Sequence, residues 1–440
     1  MKRQIARILS GRFGRNIALM TGATVVGHMA FLLASPALTR LFDPSAFAVL
    51  SILMTLQALA LAAATGRIEW SILTTKSPER AAALVKASLL FLLVATLGMG
   101  VALSLGIESA TKKFALDSNM DLLLLALPIS VLAAGLQLIL HSWCVTTGNL
   151  KPIAISKLAQ SILFVLIALA GGFFTGAGYW LAAGFTISHV VAGLILLALF
   201  VEVFKSSAGQ SPKYIFAVVH NARREILASL GSSVLHRLAF YLPFLLIWAL
   251  YDATTLGWFA FVFRMGTAPL SFLSGALAKG FWAEATDLSK TDPIALRRLF
   301  LKTIRILSIV GAAFAVFCLT APLYFGFVFG EKWDGAGAIL AAMTPMLFSQ
   351  LVFSSTNHLI VYRRQHWQLW CDLLSIILFG GVFLGMAQAG QDIVFTLALS
   401  SFAFLVSYGL RFYLHLRANR LWTEDQKANL IRRKGQSERT

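Results

Sequence analysis

The chain has 440 residues, 58% of them hydrophobic and only 13% charged, with a mean hydropathy of +0.78. A soluble globule carries about 25% charged residues, so a soluble enzyme or binding domain is excluded. The formal net charge of +18 raises nucleic acid as a partner, and the placement of the cations answers that below.

Long, nearly uncharged runs dominate from residue 17 to 416. A hydrocarbon core of about 30 Å takes about 20 helical residues to cross. Lipid offers the backbone no partners, so each run must satisfy its own hydrogen bonds as a helix. The period-2 alternation of a membrane barrel is not seen. The expectation is an all-α polytopic membrane protein. Twelve spans are predicted: 17–39, 45–66, 81–106, 121–146, 152–175, 179–204, 226–250, 254–278, 300–325, 335–360, 367–388 and 392–416.

Ahead of the first span, residues 1–16 place Ile5, Ile8, Leu9 and Phe13 on one face and bases elsewhere. They read as an amphipathic helix on the cytoplasmic leaflet, or equally as a disordered basic start. The first span is too long for the apolar region of a signal peptide, and further crossings follow it, so it is expected to be retained. The break after it, RLFDPSAFAVLS at 40–51, carries Asp43 as a helix cap with Pro44 at the first helical position. The break ALYDATTLGWFA at 249–260 repeats this with Asp252, at an offset of 209. Sliding 16–49 by that offset also pairs Gly22 with Gly231, Ala30 with Ala239 and Phe31 with Phe240. The segments SPERAA (77–82) and DPIALRR (292–298) each place a cap residue before a proline. Pro128 and His141 match Pro345 and His358 further on. The chain is thus expected to form two six-helix lobes, 17–208 and 209–417, around a central cleft, with a basic cytoplasmic tail at 418–440. This is the parallel-repeat arrangement of some transporters.

Of the 37 lysines and arginines, 31 fall on alternate sides of this topology, all on one face. Only Arg40, Lys112, Lys113 and Lys332 fall on the other, and Arg237 and Arg264 lie inside spans. That asymmetry predicts both termini in the cytoplasm. The basic balance then reflects orientation and attraction to anionic lipid, not nucleic acid. The three cysteines, Cys144, Cys318 and Cys371, lie in or at the ends of spans without a CxxC pattern, so neither a disulfide framework nor a metal site is inferred.

A charge inside a span is costly and usually faces a cavity. Arg264 shares a polar stripe with Thr267, Ser271 and Ser274, and Ser51 and Thr55 lie on the equivalent face of the second span. Arg237, near the middle of the seventh span, has His28 of the first span as its repeat mate. Thr21 and Thr24 lie near His28, and Ser233 lies one helical turn before Arg237. His236 competes with Arg237 to face the cavity, because neighbouring residues point about 100° apart. The bland reading is that the small polar residues only join helices. His141 and His358 read as helix–helix hydrogen-bond partners, and Asn357 as a helix contact. Arg40, Arg67, Glu69 and Lys279 sit at span ends as gate or interface candidates, with interfacial anchoring the simpler reading. There is no glycine-rich phosphate loop and no HExxH zinc pattern. No cofactor is expected, and coupling to a proton or sodium gradient or to the membrane potential is left open. With arginine and histidine but no obvious acid, the expected cavity suits an anionic cargo, because the guanidinium fork matches phosphate.

From Asn16 through TRLFDPSAFAVLS to GRIEWSILT and SPERAA, the sequence resembles the polysaccharide flippase family of the multidrug/oligosaccharidyl-lipid/polysaccharide superfamily. The resemblance rests on the Asn before the first span, T-R-L-F with a short turn and A-F, and R-x-E after the second span. Ala48 departs from the family's usual glycine, which its repeat mate Gly257 supplies. The resemblance implies a polyprenyl-pyrophosphate-linked glycan as cargo, flipped outward across the bacterial inner membrane for O-antigen, capsule or exopolysaccharide assembly. It also implies alternating access and places the pyrophosphate near Arg237, Arg264 and His28. Anionic lipids and the polysaccharide polymerase or ligase machinery are the expected partners. Two alternatives stand beside this. A multidrug exporter of the same superfamily should carry an acid in the first or seventh span, and neither has one. A glycan polymerase or ligase generally needs a large external loop, and the longest here is about 107–120. No catalytic activity is therefore expected.

Overall fold

The computed structural model describes residues 12–75, 77–114, 118–198, 203, 205, 210–354 and 365–437. The side chains of 12–21, 106–125, 271–280 and 425–437, with scattered others, are outside that description. Every regular element among the described residues is a helix. Those up to the middle of the chain are α1 (Arg12–Leu41), α2 (Pro44–Ala64), α3 (Ile68–Thr74), α4 (Pro78–Phe114), α5 (Ser118–Thr147), α6 (Lys151–Thr175), α7 (Tyr179–Leu197) and α8 (Pro212–Leu250). Then come α9 (Ala253–Thr291), α10 (Pro293–Leu319), α11 (Phe325–Phe329), α12 (Asp334–Ala342), α13 (Thr344–Ser354), α14 (Gln365–Gln388) and α15 (Ile393–Ser437).

Ten of these segments are long and apolar enough to cross a membrane, and an eleventh is the pair Glu331–Ala342 and Thr344–Phe353 taken as one bent span. The 52° bend of that pair falls beside Pro345, which lacks an N–H and disfavours helical backbone at the residue before it. The span expected at 254–278 lies within the continuous helix α9, which is not among the ten. The amphipathic segment 1–16 lies outside the described residues as far as residue 11, as do Asn357 and His358. The last helix does not stop near 416. It runs to Ser437, and Ala418 and Asn419, the first residues of the expected solvated tail, are buried.

The turn residues explain why the helices start where they do. Asp252 accepts from the N–H groups of Thr254 and Thr255 at 3.0 and 3.3 Å and from the Thr255 hydroxyl. Burial favours the neutral acid, but these donors outweigh it and hold the Asp252 carboxyl below its ordinary value. Asp292 caps α10 through Ile294 N and Ala295 N at 3.0 and 2.9 Å, with Pro293 next. Ser77 accepts from Arg80 N at 3.4 Å. Asp43 is different. It holds the extended backbone of a cap and precedes Pro44, but its side chain makes no capping hydrogen bond. The expectation that it caps as Asp252 does is corrected.

The chain divides into two compact units. The first runs to Trp248 and includes Asp252–Ala260; the second comprises Ala249–Tyr251 and Phe261 onwards. In the first, α6 packs on both α1 and α7, α5 packs on α4 and α7, and α2 lies against α5. Glycines set the closest approaches: a Cβ on Gly257 would lie 1.8 Å from the Pro44 carbonyl oxygen, and one on Gly178 2.7 Å from Ala46 Cβ. Polar side chains within this unit are satisfied between helices. Gln137 Nε2 donates to the His189 carbonyl at 2.8 Å, Gln160 Nε2 meets His189 Nε2 at 2.8 Å, and His141 Nε2 meets Ser156 Oγ at 3.2 Å. In the second unit α15 packs against α13 and α14. Phe261 packs edge to face against Phe325 and Phe329 and at a tilt against the fully buried Trp333.

Candidate functional site

Between α2 and α3 the backbone takes two successive left-handed residues, Gly66 at φ +57° and Arg67 at φ 57°. Arg67 is the one non-glycine with positive φ among the described residues. For a residue with a Cβ this costs roughly 1–2 kcal/mol, so the tertiary structure holds it there. The turn brings the Arg67 guanidinium back onto Glu69, Nη1 to Oε1 3.3 Å, and within 5.8 Å of the Trp70 ring. Glu69 is only 3% exposed, and its Oε2 has no hydrogen-bond partner.

Arg237 comes from α8 and meets α2. Its Nη1 donates to the Ala58 carbonyl of α2 at 2.8 Å. It lies close enough for its charge to act on Glu69 and Arg67, and Tyr241 adjoins it one turn along. Burial pushes the Glu69 carboxyl above its ordinary value. Its own backbone N–H, Arg67, the Thr65 hydroxyl and Arg237 pull the other way without prevailing. The cluster thus holds two guanidiniums against one reluctant carboxylate, and its net charge is positive.

The other expected residues are placed as follows. Arg264 and His28 are half-buried, and His236 is exposed. Ser51 is buried and donates to Ala48 O at 2.8 Å, and Thr267 donates to Phe263 O at 2.6 Å. These hydroxyls bond back to their own helices. Thr55 is buried with no partner for its hydroxyl, against Phe244 and Trp248. Thr24 and Ser233 are half-buried, while the side chains of Thr21, Ser271, Ser274 and Lys279 are outside the described residues. Arg40 is exposed at the end of α1, its Nη1 on Pro36 O at 3.2 Å. The structure therefore pairs Arg67 with Glu69, as the gate or interface reading allows, and sets Arg237, expected at the cavity instead, within electrostatic reach of both. Glu69 is thus a buried acid within electrostatic reach of Arg237, where the sequence gives no obvious acid.

A second buried charge cluster went unnoticed in the sequence. Arg411 Nη2 meets Asp372 Oδ1 at 2.7 Å, their side chains 7% and 12% exposed. The Arg411 guanidinium sits 4.4 Å from the Tyr408 ring centroid, and its carbonyl faces His415 Nδ1 at 2.8 Å. The signal was present: Asp372 lies inside the eleventh predicted span and Arg411 inside the twelfth. The charge asymmetry places Arg411 among the cytoplasmic cations; the structure corrects this, with its side chain buried against Asp372.

The sequence profile of a family described as "Polysaccharide biosynthesis protein" matches residues 37–338. That is more than half of the chain, and it includes Arg40, Arg67, Glu69, Arg237 and Arg264. No curated protein matches the chain in sequence. The fold is similar to that of a multidrug resistance MATE family transporter of the MOP superfamily in an inward-facing conformation, with TM-score 0.64 and 13% identity over 92% of this chain and 95% of that one. It is also similar to a MATE protein in a bent conformation, with TM-score 0.56 and 13% identity over 96% of each chain. An outward-facing MATE family transporter gives TM-score 0.53 and 14% identity over 93% and 96%. At these identities the likeness is one of fold.

Proposed function

Because the chain belongs to the polysaccharide biosynthesis protein family, we propose that it is a flippase for a lipid-linked oligosaccharide. It carries a glycan on an isoprenoid pyrophosphate from the cytoplasmic to the outer leaflet of the bacterial inner membrane, with both termini cytoplasmic. The observation that carries this reading is the cationic excess at Arg67, Glu69 and Arg237. A cluster with two guanidiniums and one buried carboxyl attracts a pyrophosphate and repels an organic cation. Arg264 and His28, each within a helix expected to span, are further cationic candidates for the cargo head. The glycan crosses in water, which spares its hydroxyls desolvation, while the isoprenoid tail stays in lipid. Transport runs by alternating access and is driven by an ion gradient or the membrane potential. Anionic lipids surround the protein, and the polymerase or ligase machinery receives its product.

A drug or organic-cation exporter is the second reading. The fold likeness to MATE transporters and the buried acid Glu69 favour it. The two readings separate on charge. Arg237→Ala, Arg264→Ala and the double variant should lose surface glycan at normal protein abundance. Normal glycan export by all three would contradict the flippase reading. Drug resistance that depends on Glu69 and not on Arg237 would favour the exporter.

A further inference from the structure

The first unit carries another candidate binding surface, on helices that do not contribute to the Glu69 cluster. Helices α1 and α6 pack side by side. Gly172 draws them together: a Cβ there would lie 2.9 Å from the Phe42 ring and 3.1 Å from Leu41 Cβ. Gly171 is closed off by Trp180, at 2.2 Å. Just beyond this glycine pair Phe173 and Phe174 turn outward, 78% and 81% exposed, with ring centroids 5.8 Å apart edge to face. Between the two helices lies an open groove of about 570 Å³, whose lining includes Ala37, Arg40, Leu169, Ala170, Phe173 and Phe174.

Arg40 is the one polar side chain of that lining. It stands in the last turn of α1, where donation to the Pro36 carbonyl orients the guanidinium and uses one of its five N–H donors. It is also one of only four cations on the face that the positive-inside pattern otherwise depletes. An interfacial anchor would account for the arginine alone. An apolar slot alone would be ordinary lipid-facing surface; here the arginine stands at the mouth of the slot, with two outward rings beside it. The charge and the slot together match an amphiphile with an anionic head and a hydrocarbon chain.

We propose that the α1–α6 groove is an outer-leaflet docking site for a single-chain isoprenoid pyrophosphate lipid. The chain lies along Leu169, Ala170 and Ala37, the rings of Phe173 and Phe174 flank it, and Arg40 takes the pyrophosphate as a fork. A slot between two helices suits one chain per head, whereas a glycerophospholipid brings two. The site rests on the lipid-linked cargo of the proposed function and gives the carrier a landing place on the exit side.

The test is photolabelling of the full chain in phosphatidylcholine nanodiscs with diazirine-bearing undecaprenyl pyrophosphate, mapped by peptide. Label is expected on the α1 and α6 peptides. Arg40→Ala should reduce it about tenfold or more, the scale of losing charge-assisted hydrogen bonds. Arg40→Lys should keep part of it, and the paired changes Phe173→Ala and Phe174→Ala should reduce it without loss of folded protein. Undiminished α1–α6 label in Arg40→Ala, or label only elsewhere, overturns the groove and leaves the flippase reading standing. Equal labelling there by diazirine-bearing phosphatidylglycerol overturns the carrier as occupant. No saturable label anywhere on the wild type overturns both readings.

Discussion

Glu69 is a carboxyl whose burial outweighs its partners, so its proton affinity in the folded chain exceeds the ordinary value of 4.5. From that value upward the folded chain holds a proton that the unfolded chain has released. Stability therefore falls as pH rises through this window, and the penalty is complete above the folded value. Glu69→Gln should raise the unfolding midpoint in detergent at pH 8, and its advantage should shrink as pH falls toward 4.5. A variant less stable than wild type at pH 8 would show that the Arg67 pair, not desolvation, governs the site. Arg237→Ala should reduce glycan export at least about tenfold, and Arg237→Lys should fall between, since it keeps the charge and loses the fork. Export assayed beside protein abundance checks both.

Caps, close approaches and buried pairs decide the behaviour of whole helices. Asp252→Ala should cost about 1 kcal/mol of stability, the usual loss for a cap, and Asp43→Ala should lose none of this capping contribution because Asp43 makes no such bond. The Asp252 carboxyl is held below its ordinary 3.8. Its contribution is therefore present above that value and disappears as pH falls through the folded one. Denaturation series of both variants test the contrast. Gly257→Ala should cost about 1–3 kcal/mol, as overpacking does, because the new methyl would meet the backbone oxygen of Pro44. At the α14–α15 pair, Asp372→Ala or Arg411→Ala alone should cost about 3–5 kcal/mol by leaving a buried charge unpaired. Replacing both with apolar residues of similar volume should cost far less. A double-mutant cycle that is additive would contradict a coupled pair.

For the whole molecule, the all-helical membrane character was legible because lipid leaves the backbone only that solution, and hydropathy reports it directly. Helix starts at Pro44, Pro78, Ala253 and Pro293 were legible from short polar breaks whose residues act locally. The break beside Pro345, within the span expected at 335–360, is not legible in hydropathy, which is blind to direction. The site was legible only in part. Arg237 stood out as a charge in an apolar run, but Glu69 lies just past the end of a span, where acids are ordinary. Only the left-handed turn at Gly66 and Arg67 buries it, and no periodicity encodes that turn. Asp372 and Arg411 are 39 residues apart, in two different expected spans, and only the packing of α14 on α15 brings them together. Joining the residues to an activity then rests on one step, the movement of the cargo between leaflets. In a strain lacking this protein, lipid-linked intermediates assayed separately in each leaflet measure that step directly. The account predicts loss of surface polysaccharide with the complete repeat unit accumulating on the cytoplasmic leaflet. Complete units building up unpolymerised on the outer leaflet would contradict it.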